Sequence, residues 1–61
     1  MPEKILIIED DDSIATLTRL QLESKSFLVQ IARNGAEGLR QAYAWQPDLI
    51  LLDIMMPDMD G

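Results

Sequence analysis

A parallel α/β sheet follows from three features of this 61-residue chain. Short apolar runs alternate with stretches of helical spacing in the order strand, helix, strand, helix, strand. The first run is apolar at every position, as befits a strand covered on both faces. Two of the three runs end abruptly in carboxylates. Strands joined through helices return to the same end of the sheet by right-handed crossovers, so all three run parallel. In such a sheet ligands gather beyond the carboxyl ends of the strands, which is where those acids fall.

Lys4 precedes Ile5-Leu6-Ile7-Ile8, the predicted central strand, and Glu9-Asp10-Asp11-Asp12 follows it directly. Asp12 or Ser13 is expected to cap a helix running to about Ser24 or Lys25, because short polar side chains accept the free N–H groups of a first turn. Ile14, Leu17 and Thr18 share one face of that helix, and Leu20 and Leu22 widen it. Phe27 to Ala32 forms the second strand, in which Phe27, Val29 and Ile31 alternate with a partly polar set. Asn34-Gly35-Ala36-Glu37 has capping-box spacing and opens a helix through Leu39, Ala42 and Tyr43 to about Trp45. Pro47 stops it, and Asp48-Leu49-Ile50-Leu51-Leu52-Asp53 is the third strand, again ending in an acid. Ile54 to Gly61 has the Pro and Gly punctuation of a loop.

Composition narrows the function. A chain of this length buries only about 60% of the surface its unfolded form exposes, so it holds one small core and one domain. There is no Cys and no His, which removes disulfides and the usual transition-metal ligands. A net charge of −6 removes the basic footprint of a nucleic-acid or anionic-membrane binder. The amino terminus lacks signal-peptide features and no apolar run reaches the ~20 residues of a membrane span, so the cytosol is the expected compartment.

The acids invite a metal. Like charges about 4 Å apart repel by ~4 kcal/mol at an effective dielectric of 20. Glu9, Asp10 and Asp53, brought to one sheet edge, are therefore costly unless a cation or proton intervenes. An all-oxygen set favours Mg²⁺, Mn²⁺ or Ca²⁺. The plainer account, that these acids end a strand and favour a helix N-terminus, carries about half the weight for Asp11 and Asp12. It is weaker for Asp53, since two strands ending in acids at one edge is the less probable coincidence. Met55, Met56 and Met59 fit loop and core filling better than a partner surface, and Tyr43 and Trp45 fit packing or half-exposed positions better than a binding site.

Ile5-Leu6-Ile7-Ile8-Glu9-Asp10, then Asn34-Gly35-Ala36-Glu37-Gly38-Leu39, Pro47-Asp48-Leu49-Ile50 and finally Leu51-Leu52-Asp53-Ile54-Met55-Met56-Pro57-Asp58-Met59-Asp60-Gly61 resemble, in order and over the whole chain, the receiver domain of two-component response regulators. The resemblance implies a flavodoxin-like, doubly wound parallel sheet in the order 2-1-3. It implies that Asp53 is the phosphoacceptor for a sensor histidine kinase. By the same resemblance Asp10 ligates Mg²⁺, Glu9 acts through water, Asp53 joins them and the backbone carbonyl of Met55 completes the protein ligands. Pro57 either fixes that loop so that Met55 aims its carbonyl inward or is an ordinary turn proline, two readings of about equal weight, and Gly61 is expected to supply a positive φ. The chain would be a phosphorelay module rather than an enzyme.

Measured against that family, residues 1–61 correspond to the amino-terminal half of the domain. The hydroxyl residue and lysine that grip the phosphoryl oxygens have no counterpart here, and Lys4 and Lys25 stand at the wrong places for the role. Phosphotransfer is accordingly expected to be impaired. Ser26 stands where the family commonly has Gly, which costs strain if the backbone there is left-handed. The third strand, left as an apolar edge, is expected to self-associate through Leu49 to Leu52. Two rival readings remain, a small Mg²⁺-dependent phosphotransferase or phosphatase with Asp53 as nucleophile, and a non-catalytic structural fragment. The resemblance allows an attached output domain, DNA-binding in one version.

Overall fold

The computed structural model describes residues 2–52. Its elements are β1 (Lys4–Ile8), α1 (Asp12–Glu23), β2 (Leu28–Ala32), α2 (Gly35–Trp45) and β3 (Leu49–Leu52). The sheet has the order β2-β1-β3 with both pairings parallel, as the resemblance implied. β1 therefore lies in the middle, and Ile5, Leu6 and Ile7 are its buried core. A strand sandwiched between two others and covered by helices must be apolar on both sides, which explains the unbroken aliphatic run.

Register and strand alternation sort the side chains. Ile7 pairs with Ile31 and Leu51, whereas Ile8 pairs with Ala32 and Leu52. Odd and even positions of β1 thus belong to opposite faces. The crossover from β1 to β2 runs one way and that from β2 to β3 runs back past β1, so right-handedness places α1 and α2 on opposite faces. Gly38 identifies the face that α2 covers. A Cβ built there would lie 2.5 Å from Cδ1 of Ile8 and 2.9 Å from its Cγ1, with the Ala32 methyl at 3.8 Å. The helix comes so near the sheet because no side chain stands between them.

α1 departs from expectation in cap and in face. Its N-cap is Asp11, one residue before the predicted Asp12 or Ser13, and the Asp11 side chain accepts the Ile14 N–H. Ala15 is the buried residue, flanked by half-buried Thr18, Arg19 and Leu22, while Ile14 and Leu17 are exposed. Both stripes obey helical spacing; the one with the smallest side chain allows the closest approach to the sheet. α2 repeats the lesson, with Gly38 buried and Leu39 and Tyr43 exposed.

The helix ends follow capping rules. After α1, the Ser26 N–H donates to the Glu23 carbonyl and the Phe27 N–H to the Leu22 carbonyl, a Schellman pattern with Ser26 at φ 75°. The left-handed backbone anticipated at Ser26 is present. Asn34 caps α2 as predicted, its Oδ1 accepting the Glu37 N–H, while the Glu37 carboxylate accepts the Arg33 N–H. α2 closes on Gln46, left-handed at φ 54°, just before Pro47. β2 begins at Leu28 rather than Phe27, and β1 at Lys4.

At the amino-terminal pole of the sheet, Lys4 gathers two partners, Asp48 and Trp45. Its N–H donates to the Asp48 carboxylate, its carbonyl accepts the Asp48 N–H, and its ammonium donates to the Trp45 carbonyl while lying 5.6 Å from the Trp45 ring centroid. The end of α2 and the start of β3 are thereby pinned to the start of β1. No helix among the described residues is long and apolar enough to cross a membrane.

Candidate functional site at the carboxyl pole of the sheet

β1 delivers Glu9 and Asp10 to the pole opposite Lys4. The Glu9 N–H donates to the Ala32 carbonyl at 2.9 Å, extending the β1–β2 ladder by one rung and fixing where the chain leaves the sheet. Glu9 is only 6% exposed, the one buried charged residue among those described. Its Oε2 accepts the Asp11 N–H at 3.1 Å, so a bend of the backbone turns the carboxylate back over the first residues of the loop. Asp10, beside it, is exposed to solvent.

The acid run divides its labour. Asp11 caps α1 and Asp12 begins it, forming a 2.9 Å ion pair with Arg33. The structural account given above for Asp11 holds, and Asp12 has found a cation across the β2–α2 turn. Glu9 and Asp10 are left as the two carboxylates with no capping duty. They are adjacent, at the end of the central strand, one buried and one wet.

Sequence reasoning brought Asp53 to this pole, and the register bears on that directly. Ile8 pairs with Leu52 across β1 and β3. The residue that follows Ile8 is Glu9 and the residue that follows Leu52 is Asp53. Asp53 itself, Met55, Pro57 and Gly61 lie outside the described residues. Among the described residues there is no group of three or more His, Cys, Asp or Glu side chains placed to hold a metal.

The donor chemistry fits a hard divalent ion. Two carboxylates and carbonyl oxygens with water are what Mg²⁺ accepts, since it keeps several waters and takes one or two carboxylates rather than a closed protein cage. A buried carboxylate and an exposed one suit it further: the first holds its place in the fold, and the second is open to solvent. Both are oxygen donors, with no nitrogen or sulfur to favour a softer metal.

Arg33 is the residue that sequence reasoning missed. The five Lys and Arg residues are Lys4, Arg19, Lys25, Arg33 and Arg40. Lys4 and Lys25 sit at the amino-terminal pole, and Arg19 and Arg40 are mid-helix. Arg33 alone stands at the acidic end. The signal was available in its position directly after the β2 apolar run, at the same sheet edge as the acids.

Comparison with known proteins agrees with this geometry. The family model described as "Response regulator receiver domain" matches residues 5–61. The chain is 44% identical over 61 residues to the alkaline phosphatase synthesis transcriptional regulatory protein PhoP of Bacillus subtilis, covering 100% of this chain and 25% of that protein. It is 47% identical over 58 residues to the DNA-binding dual master transcriptional regulator RpaA of Synechocystis sp., covering 95% of this chain and 24% of that one. Identity to the response regulator ArlR of Staphylococcus saprophyticus is 43% over 58 residues, 95% of this chain and 26% of that protein. The chain thus spans about a quarter of the length of these curated relatives. No solved structure matches it.

Proposed function

This chain belongs to the response regulator receiver domain family of two-component systems, and from that premise we propose that Asp53 accepts a phosphoryl group from a sensor histidine kinase. One observation carries the proposal: the Ile8–Leu52 register, after which the next residues in sequence are Glu9 and Asp53. Glu9, Asp10, Asp53 and the Met55 carbonyl would hold Mg²⁺. When bound, the ion neutralises charge on the transferring phosphoryl group.

The remaining chemistry is done by the chain. A carboxylate oxygen of Asp53 attacks phosphorus in line with the departing imidazole of the donor. The P–O bond to Asp53 forms as the P–N bond breaks, leaving an acyl phosphate on Asp53 and a histidine that recovers its proton. A carboxylate is a weak nucleophile toward an anion, so position and charge balance carry the rate. Buried Glu9 fixes the end of β1, and Asp10 supplies the solvent-exposed carboxylate. Residues 1–61 are proposed as the amino-terminal half of the domain. On that view the hydroxyl and lysine that steady the phosphoryl oxygens are contributed from elsewhere, and transfer to these residues alone is slow. Family membership favours this module over a free-standing phosphatase.

Self-association belongs to the same proposal. Leu49, Ile50 and Leu52 are 52%, 45% and 61% exposed, and among the described residues β3 has a strand neighbour on one side alone. An apolar edge of this kind pairs readily. Sedimentation of the 61-residue chain is expected to show dimers that Leu52→Lys dissociates. A concentration-independent monomer would remove this part of the proposal.

The deciding experiment incubates the chain with a phosphorylated histidine kinase and Mg²⁺, then locates the added phosphoryl group by mass spectrometry. Asp53 is the expected site, lost in Asp53→Asn and upon chelation of Mg²⁺. Phosphorylation elsewhere, or equal labelling of Asp53→Asn, refutes the assignment. Metal binding is best followed by calorimetry, since Trp45 lies at the Lys4 pole, away from the acids.

A further inference from the structure

We infer that Arg33, held by Asp12, sets the affinity of the acidic pole for its divalent cation by holding one positive charge permanently beside it. The inference deepens the metal reading above and rests on it. The observations are geometric. Arg33 follows Ala32, whose carbonyl accepts the Glu9 N–H at 2.9 Å. Its guanidinium is tied to Asp12 at 2.9 Å, and Asp12 is two residues from Asp10. Its own N–H donates to the Glu37 carboxylate, which fixes the backbone from which the side chain departs.

An ion pair this exposed, with side chains 61% and 71% accessible, adds little stability. Its consequence is electrostatic. Neighbouring strands lie about 5 Å apart and the guanidinium is tied to Asp12, two residues from Asp10, so its charge acts on an ion held by Glu9 and Asp10 over a distance on the order of the Debye length, ~10 Å at 0.1 M salt. Four successive acids without a cation would hold a divalent ion tightly in its ground state. Asp12 and Arg33 cancel each other, Asp11 is engaged as the cap of α1, and Glu9 and Asp10 are left to face the ion. Weaker binding keeps the ion exchangeable and lowers the repulsion that an anionic phosphoryl donor meets.

Two substitutions of opposite sign separate this role from a structural one. Arg33→Gln removes the positive charge and is expected to tighten Mg²⁺ binding about two- to threefold at ~10 mM ionic strength, from a unit charge acting on a divalent ion at ~10 Å. Asp12→Asn removes a negative charge and is expected to weaken binding by a similar factor. The double variant returns to the wild-type value, Arg33→Lys stays there, and all differences shrink as salt approaches ~0.5 M. Calorimetric titration with MgCl₂ alone reads each of these, with circular dichroism confirming that each variant is folded. If the wild-type chain binds no Mg²⁺ in a manner sensitive to Asp10→Ala, the metal reading fails and takes the inference with it. If it binds, but Arg33→Gln leaves the affinity unchanged or weakens it, the inference alone is overturned. Changes of equal size at high and low salt overturn it as well, since a structural effect is not screened.

Discussion

Replacing Gly38 by alanine tests whether the close approach of α2 to the sheet holds the carboxyl pole in place. The new methyl would lie 2.5 Å from Ile8 Cδ1 and 2.9 Å from Cγ1. Contacts that short force the isoleucine off its rotamer or lift the helix, which costs typically 1–3 kcal/mol in a packed site. Alanine recovers about 0.8–1.0 kcal/mol of intrinsic helix propensity over glycine. The net expectation is a destabilisation of about 0–2 kcal/mol, set against a total of roughly 3–9 kcal/mol for a chain of this size. Urea denaturation followed by circular dichroism measures it.

Two companions make the result decisive. Nothing lies within 4 Å of a Cβ at Gly35, so Gly35→Ala lacks the clash and is expected to be neutral or stabilising. Ile8→Val removes the Cδ1 atom and alone costs about 0.5–1.5 kcal/mol. In the double variant Gly38→Ala/Ile8→Val, the 2.5 Å contact is gone and only the 2.9 Å contact to Cγ1 is left to relax, so the two changes should couple favourably by about 1 kcal/mol. Because Ile8 immediately precedes Glu9, the single variant should also weaken Mg²⁺ binding, and the double variant should restore it. A Gly38→Ala protein as stable as Gly35→Ala, with no coupling to Ile8, would refute the packing argument.

Ser26→Gly should stabilise the chain by about 1 kcal/mol, because the φ of 75° is costly for any L side chain and free for glycine; an unchanged urea midpoint would count against strain there. Asp11→Ala deletes the cap on Ile14 and is expected to cost about 0.5–2 kcal/mol, whereas Asp12→Ala, whose ion pair is exposed, should cost under about 1 kcal/mol. Lys4→Met keeps the aliphatic stem over Trp45 but loses the ammonium, so it should lower stability by about 1 kcal/mol and alter Trp45 fluorescence without changing Mg²⁺ affinity at the opposite pole. An altered affinity would show that the two poles are coupled.

The order of the elements was legible because each level of the sequence agreed with the next. The unbroken Ile5 to Ile8 run required cover on both faces, the Asn34–Glu37 spacing fixed the start of α2, and Pro47 fixed its end. The faces of the helices were less legible, for a physical reason. Hydrophobicity ranks Ile14, Leu17, Leu39 and Tyr43 above Ala15 and Gly38, yet packing against a flat sheet rewards close approach of backbone to backbone. Small residues therefore took the interior and large ones the surface, the reverse of what apolar periodicity alone selects. At the acidic pole the same limit operates through charge. Four consecutive carboxylates look equivalent in sequence, and only the fold distinguishes them: the ladder bond of Glu9 buries it, the turn makes Asp11 a cap, and the strand register carries Arg33 to Asp12. What separates a ligand from a cap in such a run is the hydrogen bond each backbone position has left to satisfy, and Asp10 is the position for which the fold leaves the side chain exposed at the edge where Glu9 is held.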